Sequence, residues 1–318
     1  MTEIRIHEVG PRDGLQMEKQ IVPVETKEAW VRAAMAAGVD IVQVGSFVHP
    51  EKVPQMADTD ELFRRLVAGK ESQTVLSGLV LNEKGLERGL ACGVEMFCMG
   101  ASASETHSRK NTGMGTDEAT RRIVAMGKEA LAAGKRVQVS VQSAFGCGFE
   151  GRIPIERVQR IVETYLEAGL ANISLADTAG HADPALVSGL FGVVRALAEN
   201  VECTCHFHNT YGLGMANTFA ALQAGVTTVE TSWAGLGGCP FTKMAAGNVA
   251  TEDFVHALHR QGDRPDVDLL RLIALARDVA AHFGREMPGY VYRCGPIPNG
   301  PASVAGPFVD QSRREDVR

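Results

Sequence analysis

Apolar and polar residues alternate in short runs along most of the chain. The runs are EIRIHEV (3–9), VDIVQVGSF (39–47), TVLSGLVL (74–81), VEMFCMG (94–100), RVQVSVQSA (136–144), ANISLAD (171–177), VECTCHFH (201–208) and VTTVETSW (226–233). They are short and rich in β-branched residues, so each reads as a strand. Alanine-rich stretches with apolar positions at helical spacing lie between them. Three of these, VETKEAWVRAAMAAG (24–38), TDEATRRIVAMGKEALAAG (116–134) and IERVQRIVETYLEAG (155–169), end on the glycine suited to a helix C-terminus. Eight strand–helix units in one chain predict an α/β fold, the (β/α)8 TIM barrel. An open doubly wound sheet is the alternative, but no GxGxxG follows the first strand.

After about residue 250 the pattern turns helical, in TEDFVHALHRQG and DVDLLRLIALARDVAAHFG. These segments predict the last barrel helix plus one or two appended C-terminal helices. We expect one catalytic domain over residues 1–285. Residues 286–318, rich in Pro, Gly and charge, read as an extension with a loosely held end.

Composition narrows the function. The 318 residues are 45% hydrophobic and 22% charged, with a formal net charge of −6 and no basic stripe, which speaks against a nucleic-acid partner. No apolar run reaches the roughly 18 residues of a membrane span. The start, MTEIRIHEV, lacks a signal-peptide core, so a cytoplasmic protein is expected. Seven cysteines, an odd number without a Cys-x-x-Cys pair, point to free thiols in a reducing compartment. A homodimer is expected from the general frequency of paired subunits.

Four polar clusters follow predicted strands. In CHFHN, His206 and His208 share strand parity with Thr204, while Cys203, Cys205 and Phe207 take the opposite, apolar parity. Two imidazoles on one face at a strand end suit a divalent metal; one core and one surface histidine is the other reading. In EVGPRDGLQMEK, Arg12 and Asp13 sit in a turn marked by Gly10, Pro11 and Gly14. Asp13 could supply an oxygen ligand and Arg12 a cation for an oxyanion, or both could be solvated. In GLGGCPFTKMAAGN, Cys239 could transfer a proton from a mobile loop, and Asn248 could cap a helix or ligate a metal. In LADTAG, Asp177 ends a strand as either a catalytic or a turn residue. Barrel enzymes assemble their sites from the ends of several strands in this way.

The stretches EVGPRDGLQ, SFVHPEKVPQMAD, ASASETHSRKN, GCGFEGRI, LADTAG, CHFHNTYGLGMANT and GLGGCPFTKMAAGNVATED occur in this order over residues 4–255. Together they resemble the 3-hydroxy-3-methylglutaryl-CoA lyase family, within the metal-dependent barrel lyases and Claisen-type synthases. The resemblance implies a carbon–carbon lyase that cleaves a 3-hydroxyacyl-CoA to acetyl-CoA and a keto acid. It implies one Mg²⁺ or Mn²⁺ held by Asp13, His206, His208 and Asn248. Arg12 would stabilise the enolate oxygen, His206 or Asp13 would take the hydroxyl proton, and Cys239 would help to protonate the enolate carbon. Asp177 would support the polar cluster, and Ser46 and Asn82 would approach the substrate.

Some positions depart from the family pattern. Gln43 and Asn209 stand where the family carries acids, and His107 stands where the lyases carry an aromatic residue. Gln43 and His107 are therefore counted with the substrate-binding residues. These departures imply a relative acting on a different hydroxyacyl-CoA or hydroxy acid. A Claisen-type synthase using an acyl-CoA and a 2-oxo acid, and a non-catalytic ligand-binding barrel, are the other readings.

Overall fold

The computed structural model describes residues 4–238 and 247–298. Eight strands run in chain order: β1 (Arg5–Glu8), β2 (Ile41–Ser46), β3 (Val75–Leu79), β4 (Met96–Ser102), β5 (Arg136–Gln142), β6 (Asn172–Asp177), β7 (Glu202–Phe207) and β8 (Thr228–Thr231). All neighbours are parallel, and β1 pairs with β8 from Arg5↔Thr228 to Glu8↔Thr231, which closes the barrel. The helices are α1 (Val24–Ala36), α2 (Thr59–Val67), α3 (Glu83–Cys92), α4 (Glu105–Thr112), α5 (Thr116–Ala132), α6 (Ile155–Glu167), α7 (Pro184–Ala196), α8 (Gly214–Gln223), α9 (Thr251–Gln261), α10 (Leu269–Phe283) and α11 (Val291–Cys294). Each predicted strand is present, trimmed at its ends or shifted by a residue or two. The three expected helix-closing glycines, Gly38, Gly134 and Gly169, take φ of 90°, 71° and 80°, a region that only glycine enters without strain. The ring leaves no edge strand, so the open-sheet alternative is excluded.

The alternation along each strand becomes two faces. Val42, Leu76, Phe97, Val139, Ile173, Cys205 and Val229 belong to the main core beneath the helices. Burying each larger apolar side chain contributes roughly 1.5–3 kcal/mol, so this outer layer can hold the ring while the lumen carries other chemistry. The lumen is divided. On the β2–β4 side, Ile41, Met96 and Cys98 form a small apolar cluster with Val75 and Leu79 against it. On the opposite side the inward residues are polar: His7, Gln138, His206 and Glu230, all buried.

At the strands' N-terminal ends, Arg264 spans segments distant in sequence. Its Nη1 donates to Ile4 O at 2.7 Å and to Asp40 Oδ2 at 2.6 Å. The loops at the C-terminal ends are free to build a site. The helices after α9 brace that end from outside. Trp30 of α1 meets Trp233 edge-on with ring centroids 6.0 Å apart, and its Nε1 donates to Asp278 of α10 at 2.5 Å. No helix among the described residues is long and apolar enough to cross a membrane. Residues 299–318, which include the chain end read from sequence as loosely held, lie outside the described residues.

Candidate active site and metal centre

Arg12 and Asp13 ride on one wide turn of π-helix, Gly10–Gly14, directly after β1. The amides of Arg12, Asp13 and Gly14 all point at Val9 O, at 3.1, 2.7 and 3.4 Å. Pro11, which has no N–H to satisfy, fits this first turn. The turn aims both side chains over the barrel mouth. Glu8, just before it, anchors the turn to the segments that follow the neighbouring β8. Its Oε1 accepts from Gly10 N at 2.7 Å and Trp233 N at 3.0 Å, and its Oε2 from Thr251 Oγ1 at 2.6 Å.

His206 lies on β7 and His208 just beyond it, on the lumen parity. Their Nε2 atoms are 3.0 Å apart. Asp13 Oδ2 lies 3.9 Å from His206 Nε2 and 3.5 Å from His208 Nε2. These three residues are the group among the described residues whose donor atoms converge for one ion, all within 4.8 Å of one another. Asn248 reaches the same point by backbone pairing of its segment with His208. Its Nδ2 donates to Asp13 Oδ2 at 2.8 Å and to Leu236 O at 3.0 Å. Its buried Oδ1 has no protein partner. Two imidazole nitrogens, a carboxylate and a neighbouring amide with an unused oxygen fit Mg²⁺ or Mn²⁺ better than an all-thiolate metal.

The charges are arranged to keep the carboxylate ionised. Burial pushes the Asp13 carboxyl up, but Arg12 and then the two histidines outweigh it and hold the group well below the ordinary carboxylate range. Arg12 Nη1 donates to Asp13 Oδ1 at 2.7 Å, and its Nε donates to Gln43 Oε1. Burial disfavours a charged His206, yet Glu230 and Asp13 prevail and raise its pKa.

The cavity above these groups holds about 940 Å³, counted to its open mouth. Arg12, Asp13, Gln43, His107, His206 and His208 all line it. Thus residues predicted from four separate stretches meet around one space. His107 extends from α4 and is buried, which lowers its pKa.

Other predicted residues take different places. Asn82 does not line the cavity: its side chain accepts from Gly85 N at 2.9 Å and caps α3. Ser46 ends β2 fully buried and also lies off the cavity wall. Asp177 uses both oxygens on the loop after β6, accepting from His181 N at 2.8 Å and Ala182 N at 3.0 Å. Burial raises its pKa against those two donors. Asn209 Oδ1 accepts from Gly214 N, at the first residue of α8, at 2.9 Å. Cys239 lies outside the described residues, while Gly238 beside it borders the cavity.

The sequence reading passed over Glu230, Gln138 and His7. Glu230 Oε2 is 2.8 Å from His206 Nδ1, off the line of the ring N–H, and Gln138 Nε2 donates to Glu230 Oε1. Burial raises the Glu230 carboxyl, but His206, then His7 and Gln138, bring it down to about 2. The available signal was parity. In VTTVETSW the Glu shares the inward face with Thr228 while Val229 points out, and a charge on a lumen position needs a partner.

Relatives place the chain. The HMGL-like family profile matches residues 3–279. The hydroxymethylglutaryl-CoA lyase of Bacillus subtilis is 35% identical over 286 residues, covering 90% of this chain and 95% of that protein. The (R)-citramalyl-CoA lyase of Chloroflexus aurantiacus is 35% identical over 305 residues, covering 93% of this chain and 96% of that protein. Among solved structures, an HMG-CoA lyase from Acinetobacter baumannii in complex with coenzyme A and 3-methylmalate has a TM-score of 0.88 at 34% identity, covering 93% of this chain and 96% of that one. With the profile spanning most of its length and relatives above 30% identity end to end, the chain belongs to the HMGL-like family and is a carbon–carbon lyase.

Proposed function

We propose that the protein cleaves a carboxylate-bearing 3-hydroxyacyl-CoA of the 3-hydroxy-3-methylglutaryl-CoA kind to acetyl-CoA and a keto acid. The observation that carries this reading is the convergence of Asp13, His206 and His208 on one point at the barrel mouth, beside Arg12. Asp13, His206, His208 and Asn248 would hold Mg²⁺ or Mn²⁺. When bound, such an ion lowers the pKa of a coordinated hydroxyl and orients the substrate's oxygens.

The chain's own groups then divide the work. Asp13 takes the proton of the C3 hydroxyl, because the Nε2 lone pair of His206 would hold the ion. The C3–O bond becomes a carbonyl, the C2–C3 bond breaks, and its electron pair moves into the thioester as an enolate. Arg12 meets that charge. Two of its nitrogens are held by Asp13 and Gln43, while Nη2 makes no hydrogen bond to the described residues and can turn to the thioester oxygen. Fixing the guanidinium beforehand is what makes such a donor effective, and removing one typically lowers the rate by about 10²–10³. In this reading Cys239 delivers the proton that turns the enolate into acetyl-CoA.

A second reading concerns the acyl group. Gln43 brings a neutral amide to Arg12, and Gln138, Ser140, Gln142 and Ser174 add further neutral polar groups to the cavity. A different hydroxyacyl-CoA, such as that named for the Chloroflexus relative, suits this lining. Both readings are tested by supplying Mg²⁺ and either 3-hydroxy-3-methylglutaryl-CoA or citramalyl-CoA and following acetyl-CoA together with the matching keto acid. Turnover of the first substrate alone supports the first reading, and turnover of the second alone supports the second. Failure on both, or turnover unchanged by chelation, refutes the proposal.

A further inference from the structure

Below the mouth of the barrel, a carboxylate is buried among polar side chains that the reaction does not consume. Glu230, on β8, is 6% exposed and points into the lumen. Three groups face it. His206 Nδ1 is 2.8 Å from Oε2, His7 Nδ1 is 3.5 Å from Oε1, and Gln138 Nε2 donates to Oε1. The network continues across the lumen. His7 Nε2 is 2.9 Å from Ser77 Oγ, which lies 3.2 Å from Val42 O. Five strands, β1, β2, β3, β5 and β8, thereby hold one carboxylate against one histidine of β7.

An ionised carboxylate only accepts hydrogen bonds. A ring nitrogen facing it at this distance therefore carries a proton. For His206 that places the proton on Nδ1 and leaves the Nε2 lone pair toward Asp13 and His208. His7 Nδ1 lies farther from the carboxylate, at 3.5 Å, and its Nε2 faces the Ser77 hydroxyl, which donates to Val42 O. His208 Nδ1 faces no carboxylate oxygen at such a distance among the described residues, although neither Nδ1 makes an aligned hydrogen bond. The two imidazoles of the metal centre are thus held by unlike means.

We propose that Glu230 is a positioning residue for the metal centre: it fixes the tautomer and ring orientation of His206, with His7 and Gln138 holding Glu230 in turn. The inference rests on the proposed binding of a divalent cation by Asp13, His206, His208 and Asn248. Partners of this kind typically change metal affinity about 10–100-fold when removed.

The test is the full-length protein and its Glu230→Gln variant, which keeps the shape and removes the charge. Mn²⁺ binding to each is measured by calorimetry in the absence of substrate. Imidazole nitrogen NMR spectra are recorded on each after saturation with Mg²⁺. In the parent, the His206 Nδ1 signal should be that of a protonated ring nitrogen. In the variant, the Mn²⁺ dissociation constant should rise about 10–100-fold, and the His206 signals should shift while those of His208 stay in place. Parent-like affinity in a folded variant would overturn the proposal. So would a deprotonated His206 Nδ1 in the Mg²⁺-saturated parent, a result that needs no variant to fold. A parent that binds no Mn²⁺ would overturn the metal reading itself and this inference with it. Parent binding with no effect of the substitution overturns only the role of Glu230.

Discussion

Asn248 Nδ2 donates to Asp13 Oδ2 at 2.8 Å, linking a residue beyond the eighth strand to one just beyond the first. The amide shows its donor to the carboxylate and leaves its oxygen unused. A cation at this point reverses the preference, because the amide oxygen is then the useful atom. Asn248→Ala should weaken Mn²⁺ binding about tenfold or more, equivalent to about 1.4 kcal/mol. Calorimetry on the substrate-free protein checks this, and unchanged affinity would remove Asn248 from the ligand set.

Arg12 is expected to act on the reaction rather than on the metal. Arg12→Met should lower kcat by about 10²–10³. Asp13 keeps its histidine partners, so at pH 8 the variant should still bind Mn²⁺. Steady-state kinetics beside metal titration separate the two effects. Equal loss of kcat and metal would assign Arg12 a supporting role only.

Asn82 offers a contrast. As the cap of α3 it should contribute about 0.5–2 kcal/mol without touching substrate. Asn82→Ala should lower the unfolding free energy by that amount and leave KM within about twofold. A large rise in KM with no change in stability would return Asn82 to the substrate-binding residues.

The eight strands were legible because each run alternates or is wholly apolar, and the helix ends because Gly38, Gly134 and Gly169 follow the last periodic residue. The residues that converge were legible through their motifs, with His206 and His208 also marked by strand parity. Depth in the lumen was harder to read. Gln138 and Glu230 look like single polar interruptions in apolar strands, and only closure of the ring shows that they meet. Asn82 and Asp177 were ambiguous for a physical reason. A side-chain oxygen at the end of a strand suits both a substrate and the free amides of the next turn, and here the amides take it.

Stability should depend on pH through a second pair of carboxylates. Burial pushes Glu252 up to about 8, and burial likewise takes Glu8 up to about 7 against donors from Thr251, Gly10 and Trp233. A folded-state pKa above the unfolded value means that the native protein binds the extra proton. The resulting stability is complete below the ordinary value of 4.5 and is lost as pH rises to about 8. Glu252→Gln removes the Glu252 share of this dependence and keeps an acceptor for Ala234 N, which now donates to Glu252 Oε2 at 3.0 Å. The variant should match the parent near pH 4.5 and exceed it near pH 8.5, by at most about 5 kcal/mol at about 1.36 kcal/mol per pH unit. Melting curves at both pH values check the sign, and a gap that narrows with rising pH would contradict it.

Gln43 bears on substrate choice. Gln43→Glu restores the acid that the family pattern carries and places a charge against Arg12 Nε. The ratio of kcat/KM for 3-hydroxy-3-methylglutaryl-CoA to that for citramalyl-CoA should rise about tenfold, or about 1.4 kcal/mol. A ratio that stays constant would show that the acyl group is selected elsewhere.

The pairing of β1 with β8 also has a temporal meaning during synthesis. Asp13 leaves the ribosome early, yet the segment that carries its amide partner emerges more than two hundred residues later. A nascent chain that stops before Thr228 can present one carboxylate and two imidazoles, but without the last strand nothing holds the first beside the seventh. A cation held by these residues would therefore favour the closed cylinder over the open one.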